Sequence, residues 1–122
     1  MAHLKLEIAD TADKQMKGLM FRHSLPSDRG MLFKFEQSIG HSFWGRNTYI
    51  PLDLAFIGHD NRILQIDRIT PHSTKHIRSN FPSSMAIEAN VGFFEEHQIK
   101  PGDRVEIDVV DGVCIANFRK ES

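Results

Sequence analysis

What this chain lacks narrows it more than what it has. It holds a single cysteine, Cys114, so no disulfide can form within it and a core must hold the fold. It has one Trp, Trp44, and one Tyr, Tyr49, which puts both rare aromatics in a short central stretch. The net charge is −1 with His neutral, so no global field gathers nucleic acid or anionic lipid, although a local patch stays possible. No apolar run is long enough to span a bilayer. Met1 to Glu7 alternates instead of forming the apolar heart of a signal peptide, and the default expectation is a cytoplasmic protein. There is no P-loop, GxGxxG, GxSxG or CxxC. Kinases, nicotinamide enzymes, typical hydrolases and thioredoxin-like enzymes therefore leave the leading readings.

What is present suits one domain over residues 1–122. The apolar share of 40% and charged share of 25% are ordinary for a globular chain. A domain of this size buries roughly two-thirds of the surface its unfolded chain exposes. Leu4, Leu6 and Ile8 alternate with Lys5 and Glu7, which predicts a half-buried strand. Asp10 or Thr11 can cap a helix running to about Met20, with Met16, Leu19 and Met20 on its apolar face. Gly18 weakens that helix, and its expected purpose is close packing against a neighbour. Met31, Phe33 and Phe35 mark a second strand, and Glu36 to Gly40 reads as a connector. His41 to Thr48 is a third candidate strand, interrupted at Gly45, where a bulge or close backbone approach is expected.

Pro51 restarts the chain. Leu52 to Ile57 is apolar on both faces, the pattern of a central strand. Gly58 to Asn61 turns it into a partner over Arg62 to Ile69. Thr70 to Ser84 is the longest irregular segment, of a length that is often functional or flexible. Met85 to Asn90 is a further strand, and Asn90 can cap a short helix through Gln98, with Val91, Phe94 and Ile99 buried. Val105, Ile107 and Val109 alternate cleanly, and Asp111-Gly112 turns into a last strand over Val113 to Phe118. The predicted fold is mainly β (α+β): a compact, antiparallel, barrel-like sheet of roughly seven or eight short strands with two short helices.

The candidate site residues are polar groups set in apolar patterns. Asp53 shares a strand face with Ala55 and Ile57, so it needs a cation or several donors, with Arg22 and Arg46 as candidates. It either holds a structural network or orients a ligand. Glu88 sits in an apolar strand. It either accepts a hydrogen bond inside the sheet or joins Asp53 as an acid–base pair of the glycosidase kind. Trp44, Arg46 and Asn47 set a flat apolar face beside a donor fork and an amide, which suits a ring-bearing ligand; the alternative is a core Trp. His72 and His76 lie four apart, but Pro71 and Lys75 argue against a helical zinc site, so no metal and no cofactor are expected. Arg68, Lys75 and Arg78, with His72 and His76, form a basic loop that is either solvated or contacts phosphate or an acidic partner. Cys114, between Val113 and Ile115, reads as a small hydrophobe.

Pieces across nearly the whole chain occur in one order: Gly18-Leu19-Met20-Phe21-Arg22, Gly30-Met31-Leu32-Phe33, Phe43-Trp44 with Asn47-Thr48, Ile50-Pro51-Leu52-Asp53, Phe56-Ile57, Pro71, Glu88-Ala89-Asn90 with Gly92, and Gly102-Asp103. In this the chain resembles the domain-of-unknown-function 192 family, also called uncharacterised protein family 0127. That pattern usually has Met then Lys where Gly45 and Arg46 stand. The Arg keeps the charge, and the Gly leaves either a wider pocket or a bulged strand. The resemblance implies a compact, mostly β domain and no established activity. The leading expectation is a small-ligand-binding or accessory domain. Its site is drawn from Arg22, Trp44, Arg46, Asn47, Asp53 and Glu88, for a small polar or anionic ligand. The alternatives are a hydrolase-like enzyme using Asp53 and Glu88, and a protein-interaction module using the 70–84 loop or a sheet edge.

Overall fold

The computed structural model describes residues 2–39 and 41–121. Among these, nine strands and two short helices run in the order β1 (His3–Ala9), α1 (Ala12–Lys17), β2 (Arg29–Ile39), β3 (Ser42–Phe43), β4 (Leu52–Ile57), β5 (Ile63–Ile69), β6 (Ile77–Arg78), β7 (Ser83–Asn90), α2 (Phe93–Glu96), β8 (Arg104–Val110) and β9 (Val113–Arg119). Seven strands form one sheet in the order β5-β4-β7-β2-β1-β9-β8, and β3 pairs with β6 in a small ribbon. Every pair in the sheet is antiparallel except β1–β2, which is parallel. The crossover through α1 produces that exception, because parallel neighbours cannot be joined by a tight turn.

The sheet is not closed into a barrel, yet it curls until its two edges meet at one end. Ile63 N–H donates to Asp103 O, and Gly102 N–H donates back to Ile63 O, both at 2.8 Å. Val105 N–H reaches Asn61 O, also at 2.8 Å. Asp103 fixes this corner. Its buried carboxylate accepts from Lys100 N–H, Glu121 N–H and the Lys120 ammonium. These donors hold its pKa below the ordinary value although burial pulls the other way.

The core is split by strand parity. Inside the curl, Leu4, Leu32, Ala55, Ile57, Ile87 and Ala89 meet Phe93, Phe94 and Phe118. On the other face, Leu52, Leu54, Phe56, Met31, Phe33 and Ala86 are covered by Leu19, Leu25, Phe43 and Ile50. β4 serves both clusters, which is why all six of its residues are buried.

Several sequence expectations are corrected by tertiary demands. α1 is capped by Thr11 as expected but stops at Gly18, so Leu19 is buried from the following turn while Met16 is 77% exposed. β2 runs through to Ile39, taking in most of the expected connector. The expected strand over His41 to Thr48 shrinks to Ser42–Phe43, because residues 45–48 fold into a turn closed by Thr48 N–H on Gly45 O at 3.0 Å. The 70–84 segment is ordered by β6 and by hydrogen bonds from Gly45 N–H to Ser73 O and from His72 N–H to Gly45 O. Asn90 does not cap α2: its amide reaches back to Leu25 O at 2.8 Å, and Gly92 takes the cap position.

Gly45 marks the expected close approach. A Cβ built there would lie 1.9 Å from Thr70 O, so backbone would have to move. Gly45→Ala is expected to cost about 1–3 kcal/mol, the usual range for overpacking, read as a lower urea midpoint.

Candidate functional site

The approach of Gly45 to Thr70 turns Trp44 back toward the sheet. Its half-buried ring stacks on His76, with centroids 5.3 Å apart, and carries the Arg46 guanidinium 5.5 Å from its centroid, a cation–π arrangement. Asn47, at φ 55°, adopts the left-handed conformation that Asn tolerates, and its carbonyl accepts from Phe21 N–H at 2.8 Å. That bond ties the 45–48 turn to the segment following α1. Gln15 anchors α1 itself by donating to the carbonyls of Ala9 and Lys34.

Between α1 and residues 41–48 lies a cavity of about 370 Å³. Phe33, Phe35, Phe43 and Trp44 supply aromatic walls, and Gly18, Met16, His41 and Thr48 complete much of the lining. The rings brace one another: Phe43 meets Phe33 edge-on at 5.0 Å and Phe56 at 5.6 Å, while Phe35 stacks on His41 at 3.5 Å.

Glu88 forms part of this lining. Its residue is 5% exposed, and its Oε1 is buried without a hydrogen-bond partner. Its cross-strand neighbours are Met31 and Leu54, both apolar. The bland expectation, a hydrogen bond accepted inside the sheet, is not met at Oε1. Gly18 roofs the carboxyl, since a Cβ at that position would stand 3.4 Å from Oε1. Burial pushes the Glu88 carboxyl from its ordinary 4.5 up to about 8, because nothing nearby stabilises the charged form.

Asp53 is placed elsewhere. It pairs with Ala89 and Arg68, whereas Glu88 pairs with Leu54, so the two carboxyls leave opposite faces of the sheet. They therefore cannot act as one acid–base pair. Asp53 accepts from Gly92 N–H at 2.7 Å and from Arg68 Nε at 3.4 Å. Arg68, rather than Arg22 or Arg46, is its cation, and the network holds the turn from β7 into α2. Arg22 forms a two-pronged pair with Glu7 on β1, at 2.5 and 2.7 Å. This pair holds the Glu7 carboxyl below its ordinary range. Arg22, Trp44 and Asp53 thus do not converge. Of the six expected residues, Trp44 and Glu88 share the cavity, Arg46 braces Trp44, and the Asn47 side chain is exposed.

The aromatic wall was missed by sequence reasoning. Phe33 and Phe35 showed only a strand alternation, whereas the close packing expected of Gly18 is found against Phe33 and Glu88. A larger hollow of about 650 Å³ lies near Phe93 and Phe118; among the described residues it has no buried polar atom without a partner. No group of three His, Cys, Asp or Glu among the described residues is placed to hold a metal ion. His72 lies against Tyr49 and His76 against Trp44.

Fold and cavity define a class: a mainly β domain with an aromatic pocket built over a buried acid. The chain belongs to the DUF192 family, described as "Uncharacterized ACR", whose family model matches residues 1–107. It is similar to a crystal structure from Sinorhizobium meliloti 1021 whose name proposes a transcription regulator, with 38% identity, TM-score 0.82, and coverage of 84% of this chain and 81% of that one. It is equally similar to a protein of unknown function from Novosphingobium aromaticivorans DSM 12444, with 38% identity, TM-score 0.82, and coverage of 84% and 74%. Among curated proteins, none matches.

Two outcomes are expected. A carboxyl whose native pKa is raised holds a proton that the unfolded chain releases. The stability tied to protonated Glu88 is therefore full below about pH 4.5 and is lost as pH rises through about 8. Glu88→Gln, which stays neutral, is expected to gain melting temperature over wild type from pH 5 to pH 8.5, measured by calorimetry. Asp53→Ala is expected to lower stability by about 1.5–3 kcal/mol, the scale of hydrogen bonds to a charged group, measured by urea unfolding.

Proposed function

We propose that this chain is a small-molecule-binding domain whose site is the aromatic cavity over Glu88. One observation carries the reading: a buried carboxyl oxygen without a partner faces a cavity large enough for a small ring-bearing ligand. Buried polar atoms are ordinarily paired, and an exception in a concave aromatic site marks a place where a ligand can supply the missing contact. Structural need does not account for this acid. A Gln or Met would fill the same volume in the sheet without the cost of burying an acid.

The split between Asp53 and Glu88 removes support from the hydrolase reading. The ties between the 70–84 segment and Gly45 likewise weaken a reading in which that segment is a free docking loop. The name of the Sinorhizobium structure proposes a transcription regulator; for direct nucleic-acid binding by this chain, the net charge of −1 gives no electrostatic support. A cytoplasmic location is in keeping with the single buried thiol of Cys114. No helix among the described residues is long and apolar enough to cross a membrane.

A ligand that binds the native state raises the melting temperature by mass action. In a thermal-shift screen of ring-bearing fragments, hits are expected to stabilise wild type and Asp53→Asn alike and to lose their effect in Trp44→Ala. Hits that survive loss of Trp44 but vanish in Asp53→Asn would move the site to the other face of the sheet.

A further inference from the structure

The chemistry of the cavity also selects the charge of its ligand. We infer that the pocket takes an organic cation, a protonated amine on a flat or apolar body, with the Glu88 carboxylate as its counter-ion. This rests on the pocket reading above, and it departs from the small polar or anionic ligand expected from the sequence.

Three observations carry it. First, among the described residues no cation pairs with Glu88. The ion pairs formed among the described residues engage Glu7, Asp10, Asp53, Asp60, Asp103, Glu106 and Glu121. Second, the cavity walls are π surfaces. Phe33, Phe35, Phe43 and Trp44 line the cavity, and the face of an aromatic ring is electron-rich. Such walls attract a desolvated cation more than a neutral group of the same shape. Trp44 already holds the Arg46 guanidinium in this way. Third, Gly18, which lines the cavity beside the acid and turns there at φ 50°, sets no side chain against Oε1.

An arriving ammonium would meet a carboxyl that is protonated in the empty pocket. Binding would release that proton to solvent and form an N⁺–H···O⁻ hydrogen bond in its place, so charge balances. The elements packed around this cavity and beside Glu88 contribute the following groups. α1 and the turn after it contribute Gln15, Lys17 and Gly18, β2 contributes Met31, Phe33 and Phe35, β4 contributes Leu54, and the 41–48 segment contributes His41, Trp44 and Thr48. Lys17 and His41 are the charged or titratable ones. Lys17 is exposed and forms no ion pair with Glu88.

The test uses the full chain and three probes of nearly equal shape: 2-phenylethylammonium, 2-phenylethanol and phenylacetate. Binding is measured by calorimetry and by saturation-transfer NMR on wild type, Glu88→Gln and His41→Gln. The ammonium is expected to bind wild type most tightly. Its affinity should rise roughly tenfold per pH unit as the pH approaches about 8 and then level off. Calorimetric heats should vary with the ionisation enthalpy of the buffer, which reports the released proton. Glu88→Gln should weaken the ammonium roughly tenfold or more, as removing one partner of a desolvated charge pair does, while leaving the alcohol unchanged. His41→Gln should keep the pH profile.

If the alcohol binds as tightly as the ammonium and weakens above pH 8, the pocket stands and its ligand is a neutral hydrogen-bond acceptor; the cation inference then fails. A preference for phenylacetate overturns the inference in the same way. Equal binding of the ammonium to wild type and Glu88→Gln, with Glu88→Gln folded by circular dichroism, removes Glu88 from recognition and overturns it as well. If no probe binds while other fragments still stabilise the protein through Trp44, the cation inference fails and the pocket reading survives.

Discussion

The register between β4 and β7 is the constraint on which the rest of the structure depends. Both strands are packed on both faces, so every side chain must be assigned to one core or the other. Pairing Ala55 with Ile87 sends Asp53 and Ala89 inward to the α2 side, and Leu54 and Glu88 outward to the α1 side. A slip by one residue would exchange those faces, bury Arg68 against the wrong cluster and take Glu88 out of the aromatic cavity. The same parity that builds two cores therefore separates the two acids.

Each acid then takes its character from its face. Asp53 meets a backbone N–H at the entry to α2 and the guanidinium of Arg68, and it behaves as a structural acid. Asp103 does the same at the corner where the sheet edges meet, with a Lys and two backbone donors. Glu88 meets rings, methyl groups and a glycine. Three buried carboxyls in one domain thus meet different surroundings, two of them with hydrogen-bond donors and a cation, and Glu88 with an Oε1 that has no partner.

Much of the fold was legible along the chain. Period-two alternation marked β1 and β8, the Asp111-Gly112 turn marked β9, the fully apolar run marked β4, and the Gly58–Asn61 turn marked its hairpin with β5. Asp53 and Glu88 stood out as polar residues in apolar strands, and both proved buried. Less legible were the elements whose shape is set by distant contacts. The 41–48 segment has a strand-like composition, but the approach of Gly45 to Thr70 folds it into a turn. The helix pattern over Met16 and Met20 is broken at Gly18, where the chain turns beneath a neighbouring acid. Arg22, close in sequence to the pocket lining, is captured by Glu7 because β1 passes beside it.

By itself the sequence determined that Asp53 and Glu88 sit in buried strands, where several of the strands lie, and which family the chain belongs to. These follow from local alternation, turn chemistry and an ordered set of motifs. Only the tertiary structure decided which face each acid occupies, which cation pairs with which carboxylate, and that Phe33, Phe35, Phe43 and Trp44 wall one cavity. The physical reason is that alternation specifies two faces without saying what covers them. The covering comes from segments far apart along the chain, and their positions are fixed only when the whole sheet curls and packs.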